Sequence, residues 1–305
     1  MTAVLGLDTS NYTTSAAWFD GERGRNAGRL LEVPAGRLGL RQSDALFQHI
    51  KRLPEMVRSL EQLDFRAVGA STRPRAVEGS YMPCFLAGAS FGEAMAHVLG
   101  APFYAFSHQE GHLAAAAWSA GRLDLLEGPF LAWHLSGGTT ELLRVEPEGT
   151  FLRAEIVGGA SDLSAGQLID RAGVLLGLPF PAGKALDALA EKDSHSDCYA
   201  VKVNDLIFSL SGMENQIQNL TARKKSPAYV ANFALNTVAQ VVRRTTEEAQ
   251  SRWPGLPVLC SGGVASNRRL RAALPQAIFA APEYSTDNAM GIAILSHRAM
   301  KEEFK

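Results

Sequence analysis

His108 and His112 stand four residues apart in the run Ser107-His108-Gln109-Glu110-Gly111-His112-Leu113-Ala114-Ala115-Ala116-Ala117. In a helix this spacing sets both imidazoles on one face, where their ring nitrogens can grip a metal. The surrounding residues predict that helix: Ser107 is an N-cap, Glu110 sits where a capping box wants a carboxylate, and the alanines continue the turn, although Gly111 costs about 1 kcal/mol there. Two imidazoles leave a metal underbound. The candidate third ligand is Asp287, in Tyr284-Ser285-Thr286-Asp287-Asn288, where a loop is expected to open the last helix. Two histidines and one carboxylate leave coordination positions open, as catalytic centres do, and suit iron(II) or zinc. Histidines that merely line a packed helix share this spacing, and spacing alone does not separate the two readings.

Glycine turns offer a second kind of chemistry. Ser136-Gly137-Gly138 lies between two strand-like runs, and glycines there let backbone N–H groups approach an anion; a Gly-Gly hairpin turn also arises for purely conformational reasons. Ser261-Gly262-Gly263-Val264-Ala265-Ser266-Asn267-Arg268-Arg269-Leu270 follows a strand and leads into a helix, an order that suits a nucleotide at the positive helix end. Asp170 and Asp187 flank Gly183. Carboxylates near glycines can bind ribose hydroxyls, but an isolated helical Asp is as readily just solvated. Three short basic clusters, Arg223-Lys224-Lys225, Arg243-Arg244 and Arg268-Arg269 with Arg271, are either solvated surface or contacts for RNA.

The elements that position these residues come from periodicity. Ala3–Leu7 and Thr13–Phe19 read as a hairpin around Asp8-Thr9-Ser10-Asn11, followed by a polar stretch over 20–39 and a helix over 43–62 that Pro54 bends or splits. A strand over 65–70, a polar loop over 71–83, a helix over 86–99 and a strand over 103–106 lead to the histidine helix. Residues 131–145 repeat the opening theme of apolar strand, turn and Thr-Thr return strand, which predicts an internal duplication with the two hairpin turns facing across a cleft. Helices are expected over 164–176, 184–191, 228–253 and 287–302, with short strands at 206–210 and 258–260.

With 305 residues and 46% hydrophobic content, the chain can bury one large core or two ordinary ones. Lys and Arg number 30 against 31 Asp and Glu, so a nucleic acid must be met by a local patch and not by a global field. Cys84, Cys198 and Cys260 are widely spaced, which argues against a disulfide framework or zinc ribbon and points to a reducing cytoplasm. The first residues lack the basic start of a signal peptide, and no apolar run is long enough for a membrane span.

Taken together, His-Gln-Glu-Gly-His at 108–112, His-Leu-Ser-Gly-Gly at 134–138, Ser-Gly-Gly-Val-Ala-Ser-Asn-Arg-Arg-Leu-Arg at 261–271 and Ser-Thr-Asp-Asn at 285–288 resemble the tRNA threonylcarbamoyladenosine synthase family, formerly called the glycoprotease family, over nearly the whole chain. The resemblance implies an α/β fold: two-lobed, duplicated, of the actin, Hsp70 and sugar-kinase type, with a central nucleotide cleft. It divides the chain into an N-terminal lobe over 1–105, with the helix of 289–305 packing back on it, and a C-terminal lobe over 106–288. It implies acyl transfer from threonylcarbamoyl-adenylate to the adenosine beside a tRNA anticodon. Under it His108, His112 and Asp287 become the ligands of one divalent metal, described for the family as iron, with zinc or magnesium as other possibilities. His134, Leu135, Ser136, Gly137, Gly138, Asp170, Gly183, Asp187 and Asn267 become contacts to ATP or the adenylate, with tRNA and further proteins as partners. No residue is assigned as acid, base or nucleophile.

The chain departs from the family pattern at several positions. Thr139 stands where Ser-Gly-Gly-His-Thr has its histidine, Leu163 and Gln167 replace two acids, and Glu214 replaces the lysine of Phe-Ser-Gly-Leu-Lys-Thr; the Gly-Pro-Gly loop becomes Arg73-Pro74-Arg75. These changes suggest a divergent paralogue. Two other readings therefore stand beside acyl transfer: a nucleotide-binding protein that regulates a partner, and a metal- and ATP-dependent enzyme with another acceptor. Peptidase activity is disfavoured, because His-Gln-Glu-Gly-His is not the zinc-protease pattern His-Glu-x-x-His.

Overall fold

The computed structural model describes residues 2–10, 12–33 and 39–303. In chain order its first strands and helices are β1 (Thr2–Asp8), β2 (Thr13–Phe19), β3 (Gly24–Leu30), α1 (Gln42–Arg58), β4 (Asp64–Arg73), α2 (Phe85–Leu99), β5 (Phe103–Ser107) and α3 (His108–Ser119). Then come β6 (Phe130–Leu135), β7 (Thr140–Glu148), β8 (Phe151–Ala160), α4 (Ala165–Leu175), α5 (Gly183–Ala190), β9 (Val203–Asn204), β10 (Ile207–Phe208), α6 (Ser211–Ala222), α7 (Pro227–Arg252), β11 (Val258–Ser261), α8 (Arg268–Ala273), β12 (Ile278–Phe279) and α9 (Met290–Glu303).

The chain divides into two compact units. One comprises Met1–Gly128, Glu146–Ala154 and Thr286–Lys305, the other Pro129–Val145 and Glu155–Ser285. The boundary after 105 expected from sequence is therefore corrected to 128. Strand β5 pairs with β4 and runs without a break into α3, which packs against α9, so 106–128 and 286–288 cannot leave the first unit.

Each unit carries one sheet, and the two share a connectivity. In the first the order is β3-β2-β1-β4-β5: β1 pairs antiparallel with β2 and parallel with β4, β2 antiparallel with β3, and β4 parallel with β5. The second has β8-β7-β6-β11-β12 in the matching places, with β6 antiparallel to β7 and parallel to β11, and the short β10 and β9 added outside β8. This common order is the duplication that the repeated hairpins predict. Strands β1 and β6 are apolar almost throughout because each is central to its sheet and covered on both faces. The first core gathers Leu5, Leu7, Leu53, Val68 and Ala70; the second is centred on Trp133, whose indole N–H donates to Thr246 Oγ1 at 2.8 Å.

Sequence periodicity misses five elements, of which β9 and β12 are two-residue strands too short to show a period. Strand β3, read as part of a polar stretch, is an edge strand carrying Arg25 and Arg29, so it shows no alternation of buried apolar residues; β8 is likewise largely exposed. Helix α6 is polar, with only Met213 and Ile217 buried. Helix α1 runs on through Pro54 and ends at Arg58. Asn11, residues 34–38 of the polar stretch, and 304–305 of the terminal helix lie outside the described residues. No helix among the described residues is long and apolar enough to cross a membrane.

Candidate metal centre and nucleotide pocket

The histidine helix is built as its local sequence dictates. Ser107 caps α3 by accepting from the Glu110 N–H at 3.2 Å, and Glu110 Oε2 accepts in return from the Ser107 N–H at 2.7 Å. Glu110 Oε1 accepts from the Leu152 N–H at 3.0 Å, so this buried carboxylate has both oxygens bound to backbone. It is structural. With both oxygens engaged, Glu110 is not free to serve as a base of the metalloprotease kind.

His108, His112 and Asp287 converge within the first unit. One ligand atom from each can be chosen so that all three lie within 4.8 Å of one another. His108 Nε2 is 3.5 Å and His112 Nε2 3.4 Å from Asp287 Oδ1. Asp287 does not open the last helix as expected. It lies three residues ahead of α9, in a turn where Asn288 Oδ1 accepts from the Met290 N–H at 3.1 Å. What brings this turn to the histidines is a contact between two backbones. A Cβ built on Gly291 would lie 1.7 Å from the carbonyl oxygen of Gly111, so α3 and α9 cross where neither has a side chain.

A fourth residue completes the centre, one that sequence reasoning treats only as a turn former. Asp8, at the end of β1 and fully buried, accepts through Oδ2 from His108 Nδ1 at 2.8 Å, and its Oδ1 accepts from the Ser10 N–H at 2.8 Å. The bond from Nδ1 to Asp8 fixes the ring and directs Nε2 toward Asp287, the way the rings of metal-ligating histidines are held by an outer carboxylate. Burial opposes charge on His108, but the carboxylates of Asp8 and Asp287 outweigh it and hold its pKa up at about 10. Burial likewise works to raise the Asp287 carboxyl, yet its hydrogen bonds and attraction to both histidines hold it well below the usual carboxylate range. Two ionised carboxylates around two imidazoles call for positive charge, and the nitrogen and oxygen donors fit a divalent metal.

His49 lies behind this cluster. It is fully buried, with Nδ1 at 2.8 Å from Thr14 Oγ1 and no partner for Nε2 among the described residues. Burial pushes its pKa down to about 4; the Asp8 carboxylate opposes this and Arg52 adds to it. The folded chain thus holds His49 neutral at pH values where the unfolded chain, near 6.5, takes up a proton. Proton uptake then favours unfolding as pH falls from about 6.5 toward 4. Denaturant titrations across that range are expected to show a loss on the order of 2–3 kcal/mol in the wild type that is absent in His49→Gln.

The second unit holds a cavity of ≈ 660 Å³ lined by residues that include Gly137, Gly166, Asp170, Gly183, Lys184, Asp187, Gly263 and Asn267. Five of the nine sequence candidates meet here: Gly137, Asp170, Gly183, Asp187 and Asn267. His134, Leu135, Ser136 and Gly138 are not among its lining residues. Leu135 is fully buried in β6, and Ser136 closes its own turn, accepting from the Thr139 N–H at 3.1 Å. Gly166 must be glycine, because a Cβ there would lie 2.4 Å from the Ser136 carbonyl oxygen where α4 meets the turn. At Gly137 and Gly138 a Cβ would meet nothing within 4 Å, and the turn presents open backbone.

The carboxylates of the cavity are already fixed. Asp170 Oδ1 accepts from the Ala182 N–H at 2.7 Å, and Asp187 Oδ1 from Asn267 Nδ2 at 2.9 Å. Asn267 also caps α8, its Oδ1 accepting from the N–H groups of Arg269 and Leu270. Its amide is spent on architecture.

The model of the family TsaD, tRNA N6-adenosine threonylcarbamoyltransferase, matches residues 47–294. This chain belongs to that family. Curated members include a tRNA N6-adenosine threonylcarbamoyltransferase of Thermus thermophilus, 31% identical with 99% of this chain and 94% of the relative covered. One from Aromatoleum aromaticum is 32% identical, with 95% and 89% covered. Solved structures share the fold at low identity. Full-length HypF in its phosphate- and nucleotide-bound form aligns with a TM-score of 0.63 at 14% identity, covering 98% of this chain and 55% of that one. A ROK family protein from Streptococcus pneumoniae aligns at 0.52 and 13%, covering 99% and 100%. The fold is the duplicated α/β type of actin and the sugar kinases.

The departures from the threonylcarbamoyltransferase pattern are locally consistent. Gln167 completes a capping box on Ser164, Leu163 is buried, and Glu214 pairs with Arg171 at 2.5 Å. Of the basic clusters, Arg244 donates to the Val201 carbonyl, Arg269 to Asn232 and Ala190, Arg271 to Ala265 and Ala280, and Arg243 and Arg268 pair with Glu247 and Glu191. Arg223, Lys224 and Lys225 stay exposed.

Proposed function

We propose that this chain transfers the threonylcarbamoyl group of threonylcarbamoyl-adenylate to the exocyclic amine of the adenosine beside a tRNA anticodon. In that step the amine nitrogen bonds to the carbamoyl carbon, the bond from that carbon to the phosphate oxygen breaks, AMP leaves, and the nitrogen gives up one proton. Membership of the family supports the reaction. The observation that carries it to this chain is the meeting of His108, His112 and Asp287, with Asp8 behind them, despite the altered residues elsewhere.

In this reading the two imidazoles and Asp287 hold one divalent metal, with iron the first choice and zinc or magnesium the others, and Asp8 fixes the tautomer of His108. When bound, that metal supplies Lewis-acid polarisation of an acyl or phosphate oxygen. The cavity of the second unit takes the adenylate: the Gly137 amide meets its phosphate, while Asp170 and Asp187, held rigid by Ala182 and Asn267, accept from ribose hydroxyls. Gly183 gives the sugar room beside α5. His134, Leu135, Ser136 and Gly138 act through the turn they form. The exposed run 223–225 is a contact for tRNA phosphates. The transferase works in the cytoplasm with partner proteins that supply or complete the reaction.

The purified chain, threonylcarbamoyl-adenylate and unmodified tRNA, incubated with and without the partner proteins of the family, are expected to yield threonylcarbamoyl-adenosine in the digested tRNA. AMP binding without modified adenosine under either condition would sink the transfer reading and leave a nucleotide-binding protein.

A further inference from the structure

Lys184 is the one cation among the residues lining the cavity of the second unit. Its natural counter-ion is Asp187, one turn further along α5, yet that carboxylate is turned to Asn267 Nδ2 at 2.9 Å and to Arg268 Nε at 3.8 Å. Asp170, the other acid of the cavity, has Oδ1 bound to the Ala182 N–H. Among the described residues no carboxylate forms an ion pair with Lys184. The cavity therefore holds two acids fixed by the protein's own hydrogen bonds, and an ammonium with none. An exposed lysine also solvates well, so the cavity wall is what gives this one a role: a ligand filling the space brings its own groups to Nζ.

We infer that Lys184 receives the anionic group of the nucleotide, so that this pocket selects a phosphorylated adenosine over the bare nucleoside. The inference rests on the reading of the cavity as the adenylate site and adds the residue that discriminates within it. Fixed acids suit the neutral hydroxyls of ribose, while the unpaired ammonium suits the phosphate. Hydrogen bonds to charged groups are the stronger ones, so removing this one weakens phosphate binding by roughly 10- to 100-fold.

Calorimetric titration of the full chain with AMP and with adenosine tests this. Wild type binds AMP more tightly than adenosine. Lys184→Ala lowers AMP affinity by roughly 10-fold or more and leaves adenosine within about twofold, and Lys184→Arg restores AMP. An unchanged ratio of AMP to adenosine affinity in Lys184→Ala overturns the inference while leaving the adenylate pocket standing. So does an equal loss of both ligands, which marks a structural role. Wild type that binds neither ligand overturns the pocket reading itself, and the role of Lys184 with it.

Discussion

Replacing His112 by Ala is expected to abolish stoichiometric metal binding, from about one ion per chain to a trace, and to take threonylcarbamoyl transfer with it. The arrangement holds three donor groups, so each removal leaves a site too poor in ligands to hold a divalent ion against water. Asp287→Ala is expected to act equally, because its Oδ1 is the atom that both Nε2 nitrogens face. Asp8→Asn is expected to be milder. It keeps the three ligands but removes the charge behind His108 Nδ1, and loss of such an outer partner weakens metal binding by roughly 10- to 100-fold. Elemental analysis of the purified variants reads all three, and circular dichroism checks that α3 still forms. Wild-type metal content in His112→Ala means the ligand assignment is wrong.

Gly291→Ala is expected to have the second largest effect, through packing alone. The added methyl would lie 1.7 Å from the Gly111 carbonyl oxygen, and that atom belongs to the backbone of α3, which cannot rotate away as a side chain does. The two helices must separate. Overpacking of this kind destabilises by about 1–3 kcal/mol, and here it also carries Asp287 away from His108 and His112. A lowered urea midpoint is therefore expected together with weakened metal binding. Gly128→Ala, where a Cβ meets nothing within 4 Å, serves as the control and is expected to change neither. A stable Gly291→Ala variant with full metal content would show that the helix crossing does not position the ligands.

Gly111 illustrates how a residue can read one way in sequence and another in the fold. Within the helix it is an unfavourable choice by about 1 kcal/mol relative to alanine. At the crossing it is the residue whose carbonyl oxygen Gly291 approaches, while a Cβ on Gly111 itself would meet only the flexible end of the Ile292 side chain, at 3.0 Å. Glu110 is similar. Its place in the capping box is visible from Ser107 three residues earlier, but its second bond, to Leu152, joins residues 42 apart and has no local signal.

The division between sequence and structure follows the range of the interactions. The i,i+4 histidine pair, the caps of α3 and α4, the two hairpins and the strand, turn and helix order around Gly262 are properties of neighbouring residues, and the sequence alone determined them. Edge strand β3 escaped because a strand paired on one side and open to solvent on the other need not alternate, and β8, although it lies between β7 and β10, because much of it is exposed. Only the tertiary structure decided that Asp8 backs His108, 100 residues away, that Asn267 spends its amide on Asp187 and α8, and that Lys184 is left facing the cavity without a counter-ion. Hydrogen bonds and charges act over a few ångströms of space whatever the separation along the chain, so those partners exist only once the sheets and helices have packed.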